Sequence, residues 1–131
     1  MIKASIIVAD YHVFFRRCVR RIIQEDPTLY VANDVGNGLD LLRLLEETTP
    51  DAVILDISMP KLSGLETAVV IKRLYPHIKI VILTMHQEKE YFDKSFEIGV
   101  EGYVNKREID NLNIAIKTVL EGKKYLTPLS I

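Results

Sequence analysis

Short apolar runs alternate with longer segments of helical periodicity from one end of the chain to the other. The short runs are rich in β-branched residues and predict strands. They are "ASIIVA" (4–9), "LYVANDV" (29–35), "AVIL" (52–55), "IKIVIL" (78–83) and "GYV" (102–104). The longer segments space their apolar residues as an amphipathic helix does, for example at Phe15, Cys18, Val19, Ile22 and Ile23. Five strands and five helices are therefore predicted to alternate.

Residues typical of helix ends stand at the predicted boundaries. Ser63 and Glu66 have the spacing of a capping box, and Gly122 stands where the last helix should stop. Prolines follow three helical runs, at Pro27, Pro50 and Pro76. Strict alternation favours right-handed crossovers and a parallel sheet with helices on both faces. The runs "AVIL" and "IVIL", apolar at every position, predict central strands buried on both sides.

Composition indicates one domain and argues against direct binding to nucleic acid or membrane. With 131 residues, 48% hydrophobic and 27% charged, it has the size and balance of one globular domain. Seventeen Lys and Arg against eighteen Asp and Glu give a net charge of -1, which does not favour direct binding to nucleic acid or membrane. The single cysteine favours a reducing cytoplasm, and the first apolar run is too short for a signal peptide.

Polar side chains follow four of the five predicted strands. In a parallel α/β sheet, ligands bind outside the carboxyl ends of the strands. Taken singly, each of these residues is explained as a turn former or a helix cap. Together, two carboxylates, a hydroxyl and an amine at one sheet edge suit a site for phosphate and a cation. The residues are Asp10, Tyr11 and His12 after the first strand, Asp56 after the third, Thr84 and His86 after the fourth, and Lys106 after the fifth.

Asp56 is the strongest candidate in this set. It follows the apolar run "DAVIL", and a carboxylate buried there is costly unless a cation or hydrogen bonds compensate. Asp56 is therefore predicted to be a nucleophile or a metal ligand.

Three segments, "DAVILDISMPKLSGLE", "IVILTMH" and "GYVNK", resemble in order and spacing the receiver domain of two-component response regulators. The tail "GKKYLTP" adds a resemblance to the NarL/FixJ (LuxR-type) subgroup. The resemblance implies a doubly wound, flavodoxin-like (βα)5 fold of the α/β class, with five parallel strands in the order 2-1-3-4-5. It also implies a receiver domain over residues 1–122, followed at 123–131 by a tail or the start of a linker to an absent output domain.

The resemblance implies a role for each site residue. Asp56 would be the phosphoacceptor, and Mg²⁺ would be held by Asp10, Asp56 and the backbone carbonyl of Ser58. Thr84 and Lys106 would contact the phosphoryl group. Tyr103 would be the switch aromatic that turns inward when Thr84 moves, while Pro60 and Gly64 shape the loop after Asp56.

The implied partners follow from the same family. A sensor histidine kinase would supply the phosphoryl group, and a homodimer is a further possibility. DNA would be contacted only through a separate helix-turn-helix domain absent from this chain, and the switched surface would regulate transcription through that domain. The domain would be a phosphoryl acceptor with self-catalysed phosphorylation and dephosphorylation at most, rather than an enzyme acting on a separate substrate.

The sequence departs from the family at Tyr11. Receivers of this kind usually carry two adjacent acids after the first strand, and a phenol is a poor ligand for Mg²⁺ beside a carboxylate. Two hypotheses stay open: a phosphorylation switch with weak Mg²⁺ binding, or an atypical receiver that acts by dimerisation or another ligand, with Tyr11 capping the pocket. The first is favoured because Asp56, Thr84 and Lys106 are all present.

Other functions fit the residues less well. A phosphatase with an Asp nucleophile would need a second acid where Ser58 stands, and a flavin-binding domain would need a small-residue phosphate loop instead of "DYHVFFRR". His12 and His77 are predicted to be surface residues without zinc-ligand spacing, whereas His86 is a candidate modifier of acyl-phosphate hydrolysis. The basic stripe Arg16, Arg17, Arg20 and Arg21 is predicted to be a solvated helix face, with docking of an acidic partner or dimer mate as the alternative.

Overall fold

The structure is a computed structural model that describes residues 3–126, and it contains one six-stranded parallel sheet in that range, ordered β2-β1-β3-β4-β5-β6. The strands are β1 (Ala4–Ala9), β2 (Leu29–Val35), β3 (Ala52–Leu55), β4 (Lys79–Thr84), β5 (Gly102–Asn105) and β6 (Tyr125–Leu126). The helices are α1 (Val13–Gln24), α2 (Gly38–Leu45), α3 (Gly64–Leu74), α4 (Lys89–Ile98) and α5 (Leu112–Leu120), with a 3₁₀ segment at Lys106–Asn111.

The sheet separates two apolar cores, and β1 contributes to both. Ile6 and Val8 face the core formed with α1 and α5, whereas Ile7 and Ala9 face the core formed with α2, α3 and α4. Successive side chains of a strand point to opposite faces of the sheet. A continuous apolar run in β1 is therefore required, because helices cover both of its faces.

Most element predictions are confirmed. The first three strands have the predicted bounds, while β4 begins and ends one residue later than predicted and β5 ends one residue later. The capping box forms at α3, where Ser63 and Glu66 exchange side-chain to backbone hydrogen bonds. Gly122 follows α5 with φ +86°, a left-handed conformation that favours glycine.

The prediction of five strands is wrong, because a sixth strand adds to the edge of the sheet. Tyr103 of β5 is paired with Leu126 of β6, and the amide of Tyr125 donates to the carbonyl of Glu101 at 2.9 Å. Tyr125 packs on the core beside α1 and α5, and Leu126 packs on the opposite core. This strand lies within residues 123–131, which were predicted to be a tail or linker; residues 127–131 lie outside the described range.

The basic stripe of α1 is only partly solvated. Arg16 and Arg20 each bind the carboxylate of Asp34 on β2 at 2.7 Å, whereas Arg17 and Arg21 are exposed. The prediction of a solvated face therefore holds for one half of the stripe, and the other half fastens α1 to the edge of the sheet. Between residues 3 and 126, no helix combines the length and the apolar character needed to cross a bilayer.

Candidate functional site

Two carboxylates and one ammonium group meet at the carboxyl edge of the sheet. The Nζ atom of Lys106 lies 2.9 Å from Oδ2 of Asp10 and 3.2 Å from Oδ2 of Asp56. All three side chains are about 95% buried. Parallel pairing places β1 beside β3, so the residues that follow these strands are neighbours. The structure thus brings together three of the predicted site residues.

Burial makes Asp56 an unusual carboxylate. Loss of hydration raises its pKa above the ordinary value, Lys106 opposes that rise by attraction, and the negative charge of Asp10 adds to it. The other carboxylate oxygen, Oδ1, accepts a hydrogen bond of 2.8 Å from the backbone amide of Ile57. The charge of Asp56 is therefore compensated mainly by one ammonium group and one amide.

The loop after β3 is held close to Asp56 by a glycine. A Cβ atom on Gly64 would lie 1.9 Å from the carbonyl oxygen of Asp56, so no larger residue fits without movement. The amide of Gly64 also donates to the carbonyl of Ile57 at 2.8 Å. Within the same loop Lys61 adopts φ 68°, a left-handed conformation that is uncommon for a residue with a Cβ. The start of α3 is thus fixed against the end of β3.

A chain of side chains joins the loops after β3 and β4. Ser58 Oγ and His86 Nε2 share a hydrogen bond of 2.6 Å, and His86 Nδ1 lies 3.4 Å from Oε2 of Glu88. The hydroxyl of Thr84, which is fully buried, accepts a hydrogen bond of 3.1 Å from the backbone amide of His86. The predicted site residues Thr84 and His86 therefore belong to one hydrogen-bonded loop beside Ser58.

Sequence reasoning did not identify Phe15 as a site residue. Lys106 Nζ lies 4.2 Å from the centre of the Phe15 ring, within the range of a cation–π interaction. The residue was predicted only as part of the apolar face of α1. No local signal in the sequence links two residues so far apart in the chain.

Tyr103 lies in the core beside α4 and is 1% exposed. Its ring packs edge to face on Phe92 with a centroid distance of 5.2 Å, and its hydroxyl is buried without a hydrogen-bond partner. Burial raises the pKa of Tyr103 to about 12, with further contributions from the charge of Glu88 and from Tyr91. The phenol is therefore neutral at physiological pH.

The two residues after Asp10 are both exposed. Tyr11 is 57% exposed, and the His12 side chain is 66% exposed. The His12 ring nevertheless remains close to the pocket, because its backbone amide donates to Oδ1 of Asp10 at 2.8 Å and its Nδ1 lies 3.4 Å from the same oxygen. His12 and His77 are thus surface residues, as predicted.

Buried acids and a lysine thus meet at the edge of a parallel sheet. Residues 6–117 of the chain match the family model of the response regulator receiver domain. The chain belongs to that family. The family match favours a receiver domain of a two-component response regulator over the phosphatase and flavin-binding alternatives. The relatives support the NarL/FixJ subgroup.

Curated relatives include bacterial proteins named as transcriptional regulators and as response regulators. The transcriptional regulatory protein DegU of Brevibacillus brevis is 33% identical over 127 residues, which cover 96% of this chain and 54% of DegU. The response regulator GacA of Pseudomonas aeruginosa is 32% identical, covering 98% of this chain and 59% of GacA. The chain therefore spans a little over half the length of these relatives.

Solved structures agree in fold with this receiver. A LuxR-family two-component response regulator from an Aurantimonas species is 34% identical, with a TM-score of 0.91 and coverage of 96% of this chain and 91% of that one. The isolated receiver domain of RcsB from Salmonella enterica, solved with the phosphomimetic BeF3⁻, is 25% identical with a TM-score of 0.88, covering 94% and 92%. Both likenesses extend over nearly the whole chain.

The donor set at the sheet edge suits a divalent cation in part. Asp10 and Asp56 are buried carboxylates, which are the ligands that Mg²⁺ prefers. At the place of the second acid, Tyr11 supplies no charge. The pocket therefore holds two carboxylates and the ammonium group of Lys106. Its net negative charge is smaller than it would be with an acid in place of Tyr11.

Proposed function

We propose that Asp56 accepts a phosphoryl group from a phosphohistidine of a sensor kinase, and that this modification changes the surface of the receiver domain. The observation that carries the proposal is the buried contact of Lys106 with both Asp10 and Asp56. A carboxylate held in this way is desolvated, oriented and adjacent to a fixed positive charge. These are the properties required of a nucleophile in phosphoryl transfer.

The transfer step uses groups that lie in the pocket. A carboxylate oxygen of Asp56 attacks phosphorus, the bond between phosphorus and the imidazole nitrogen of the donor breaks, and the imidazole keeps the electron pair. Lys106 supports the negative phosphoryl oxygens by charge. Mg²⁺ held by Asp10, Asp56 and the backbone carbonyl of Ser58 would neutralise further charge on those oxygens. Thr84 would then donate its hydroxyl hydrogen to the phosphoryl group.

The proposed response to phosphorylation involves the elements beside β4 and β5. Movement of Thr84 would alter the loop that His86 ties to Ser58, and Tyr103 packs beneath α4 close to that loop. The surface formed by α4, β5 and α5 would change in consequence. The family match does not favour the phosphorylation-independent alternative.

Partners of the whole protein follow from the relatives. We infer that the receiver occupies residues 1–122, that strand β6 adds to its sheet at Tyr125–Leu126, and that the segment beyond leads towards a helix-turn-helix domain that regulates transcription in the cytoplasm. One related structure is described as two RcsB dimers bound to two parallel DNAs. Homodimerisation is part of the proposal, through either α1 with α5 or the surface of α4, β5 and α5.

Acetyl phosphate with Mg²⁺ tests the phosphorylation directly. Intact mass should show one added phosphoryl group on the unaltered chain, and Asp56→Asn should show none. Asp51→Asn is a matched control because Asp51 is an exposed carboxylate at the opposite end of β3, and it should still gain the group. An unaltered chain that stays unmodified at millimolar Mg²⁺ would contradict the proposal, and an adduct on Asp56→Asn would assign it to another residue.

A further inference from the structure

An imidazole stands beside the two carboxylates of the pocket. Asp10, His12 and Asp56 each offer one ligand atom, and these atoms all lie within 4.8 Å of one another. From the sequence, His12 is predicted to be a surface residue without zinc-ligand spacing. The structure agrees on its exposure but places its ring nitrogen 3.4 Å from a carboxylate oxygen of the pocket.

His12 is positioned by its backbone and has a mostly exposed ring. Its amide donates to Oδ1 of Asp10, which fixes the residue immediately before α1. The side chain makes no capping hydrogen bond to the first turn of that helix. With two-thirds of the side chain exposed, the ring can rotate towards the pocket without breaking a buried contact. The fold therefore places the His12 ring within reach of the pocket, and packing does not oppose its movement.

The charge and chemistry of the ligands decide which cation this pocket suits. Mg²⁺ depends on several oxygen ligands and on negative charge, and here Lys106 already contacts one oxygen of each carboxylate. Tyr11 does not restore the missing charge. An imidazole nitrogen adds little to Mg²⁺ binding but is a good ligand for the later first-row divalent ions.

We infer that His12 is a ligand of the cation in this pocket, and that the site therefore selects a first-row transition-metal ion over Mg²⁺. The nitrogen of His12 compensates for the acid that Tyr11 replaces. The inference rests on the proposed function only in using the same two carboxylates. Metal binding can be measured without any phosphoryl transfer, so the two proposals fail separately.

Calorimetric titration of the chain with Co²⁺ and with Mg²⁺ tests the selectivity. Co²⁺ should bind at least about tenfold more tightly than Mg²⁺, in the direction of the Irving–Williams order. The variant His12→Gln should weaken Co²⁺ about tenfold and leave Mg²⁺ within about twofold, because only the nitrogen donor is lost. Asp10→Asn should weaken both ions, which assigns the binding to this pocket.

Two further variants separate His12 from other histidines and from Tyr11. His77→Gln removes another exposed imidazole, two residues before β4, and should change neither affinity. Tyr11→Asp should raise the affinity for Mg²⁺ by restoring the second acid. In the visible spectrum, the absorption of bound Co²⁺ should change in His12→Gln and not in His77→Gln.

Unchanged Co²⁺ affinity in His12→Gln, or tighter binding of Mg²⁺ than of Co²⁺ by the unaltered chain, would overturn the inference. Circular dichroism checks the folding of each variant: substitutions at the exposed Tyr11, His12 and His77 should leave it intact, and Asp10→Asn, at a buried position, is compared only if its spectrum is unchanged. Acetyl phosphate labelling of His12→Gln in Mg²⁺ distinguishes the two proposals. Labelling without a loss of Co²⁺ affinity would sustain the phosphoacceptor and reject His12 as a ligand.

Discussion

Lys106 is held between two carboxylates and the face of Phe15, whose ring centre lies 4.2 Å from the ammonium nitrogen. Replacing the ring by an aliphatic side chain should therefore hold the ammonium group of Lys106 less firmly in the pocket. For Phe15→Leu we expect about 1 kcal/mol less stability and several-fold weaker binding of BeF3⁻, whereas Phe15→Tyr should retain both. Urea denaturation and BeF3⁻ titration measure the two effects. Equal behaviour of the leucine and tyrosine variants would show that the ring only fills space.

Asp56 should reduce stability near neutral pH, because burial raises the pKa of its carboxyl. Between the ordinary value of 3.8 and that raised value, the folded state binds more protons than the unfolded state. The free energy of unfolding contributed by this group therefore falls as pH rises through that interval. At pH 7, Asp56→Asn should have a free energy of unfolding about 1 kcal/mol higher than the unaltered chain, since functional residues are often destabilising. Its midpoint of denaturation should move to higher denaturant concentration.

The pH dependence distinguishes this effect from a general change in packing. Below the ordinary pKa of an aspartate, the carboxyl is protonated in both states, so the advantage of Asp56→Asn should disappear there. Asp51→Asn, at an exposed position, serves as the control. An Asn variant that is less stable at pH 7 would mean that Lys106 overcompensates the cost of burial.

Gly64 should tolerate no side chain, since a Cβ would meet the carbonyl oxygen of Asp56 at 1.9 Å. Helix propensity alone would favour alanine there, so any loss measures the close approach. We expect Gly64→Ala to destabilise the domain by about 3 kcal/mol. Gly36→Ala is the matched control, because its nearest neighbour is the end of the Arg16 side chain at 3.2 Å, a contact that a shift of a few tenths of an ångström relieves. Comparable midpoints for the two variants in urea would contradict the prediction.

Tyr103 carries a buried hydroxyl with no hydrogen-bond partner, and removal of that hydroxyl should not lower the free energy of unfolding. Tyr103→Phe keeps the edge-to-face contact with Phe92 and should raise the free energy of unfolding by up to about 1 kcal/mol. Tyr30→Phe, at a position 40% exposed, should change it little. Guanidinium denaturation of both variants decides the matter, and a marked loss in Tyr103→Phe would reveal a hidden hydrogen bond.

The alternation of strands and helices was predictable because each strand is a β-branched run bounded by helix signals. The same logic found Asp10, Asp56 and Lys106, since residues that follow parallel strands gather at one edge. Ser58 stands three residues beyond the end of β3 and His86 two residues beyond the end of the neighbouring β4, so the sequence did contain a signal for their contact.

Other contacts had no such signal. Phe15 touches Lys106 only because α1 and the end of β5 meet in three dimensions. Asp34 fastens Arg16 and Arg20 through the packing of α1 on β2, which a charge pattern does not specify. Strand β6 was missed because two residues are too few to show a period.

Strand β6 has only two residues paired with β5, at Gly102 and Tyr103. So short a ladder contributes little cooperativity, and an edge strand of this kind opens far more often than the central strands do. One of its two partners is Tyr103, which packs on Phe92 beneath α4. A repacking of Tyr103 would therefore also disturb the pairing of Leu126, so that a change beneath α4 would reach the last strand of the sheet.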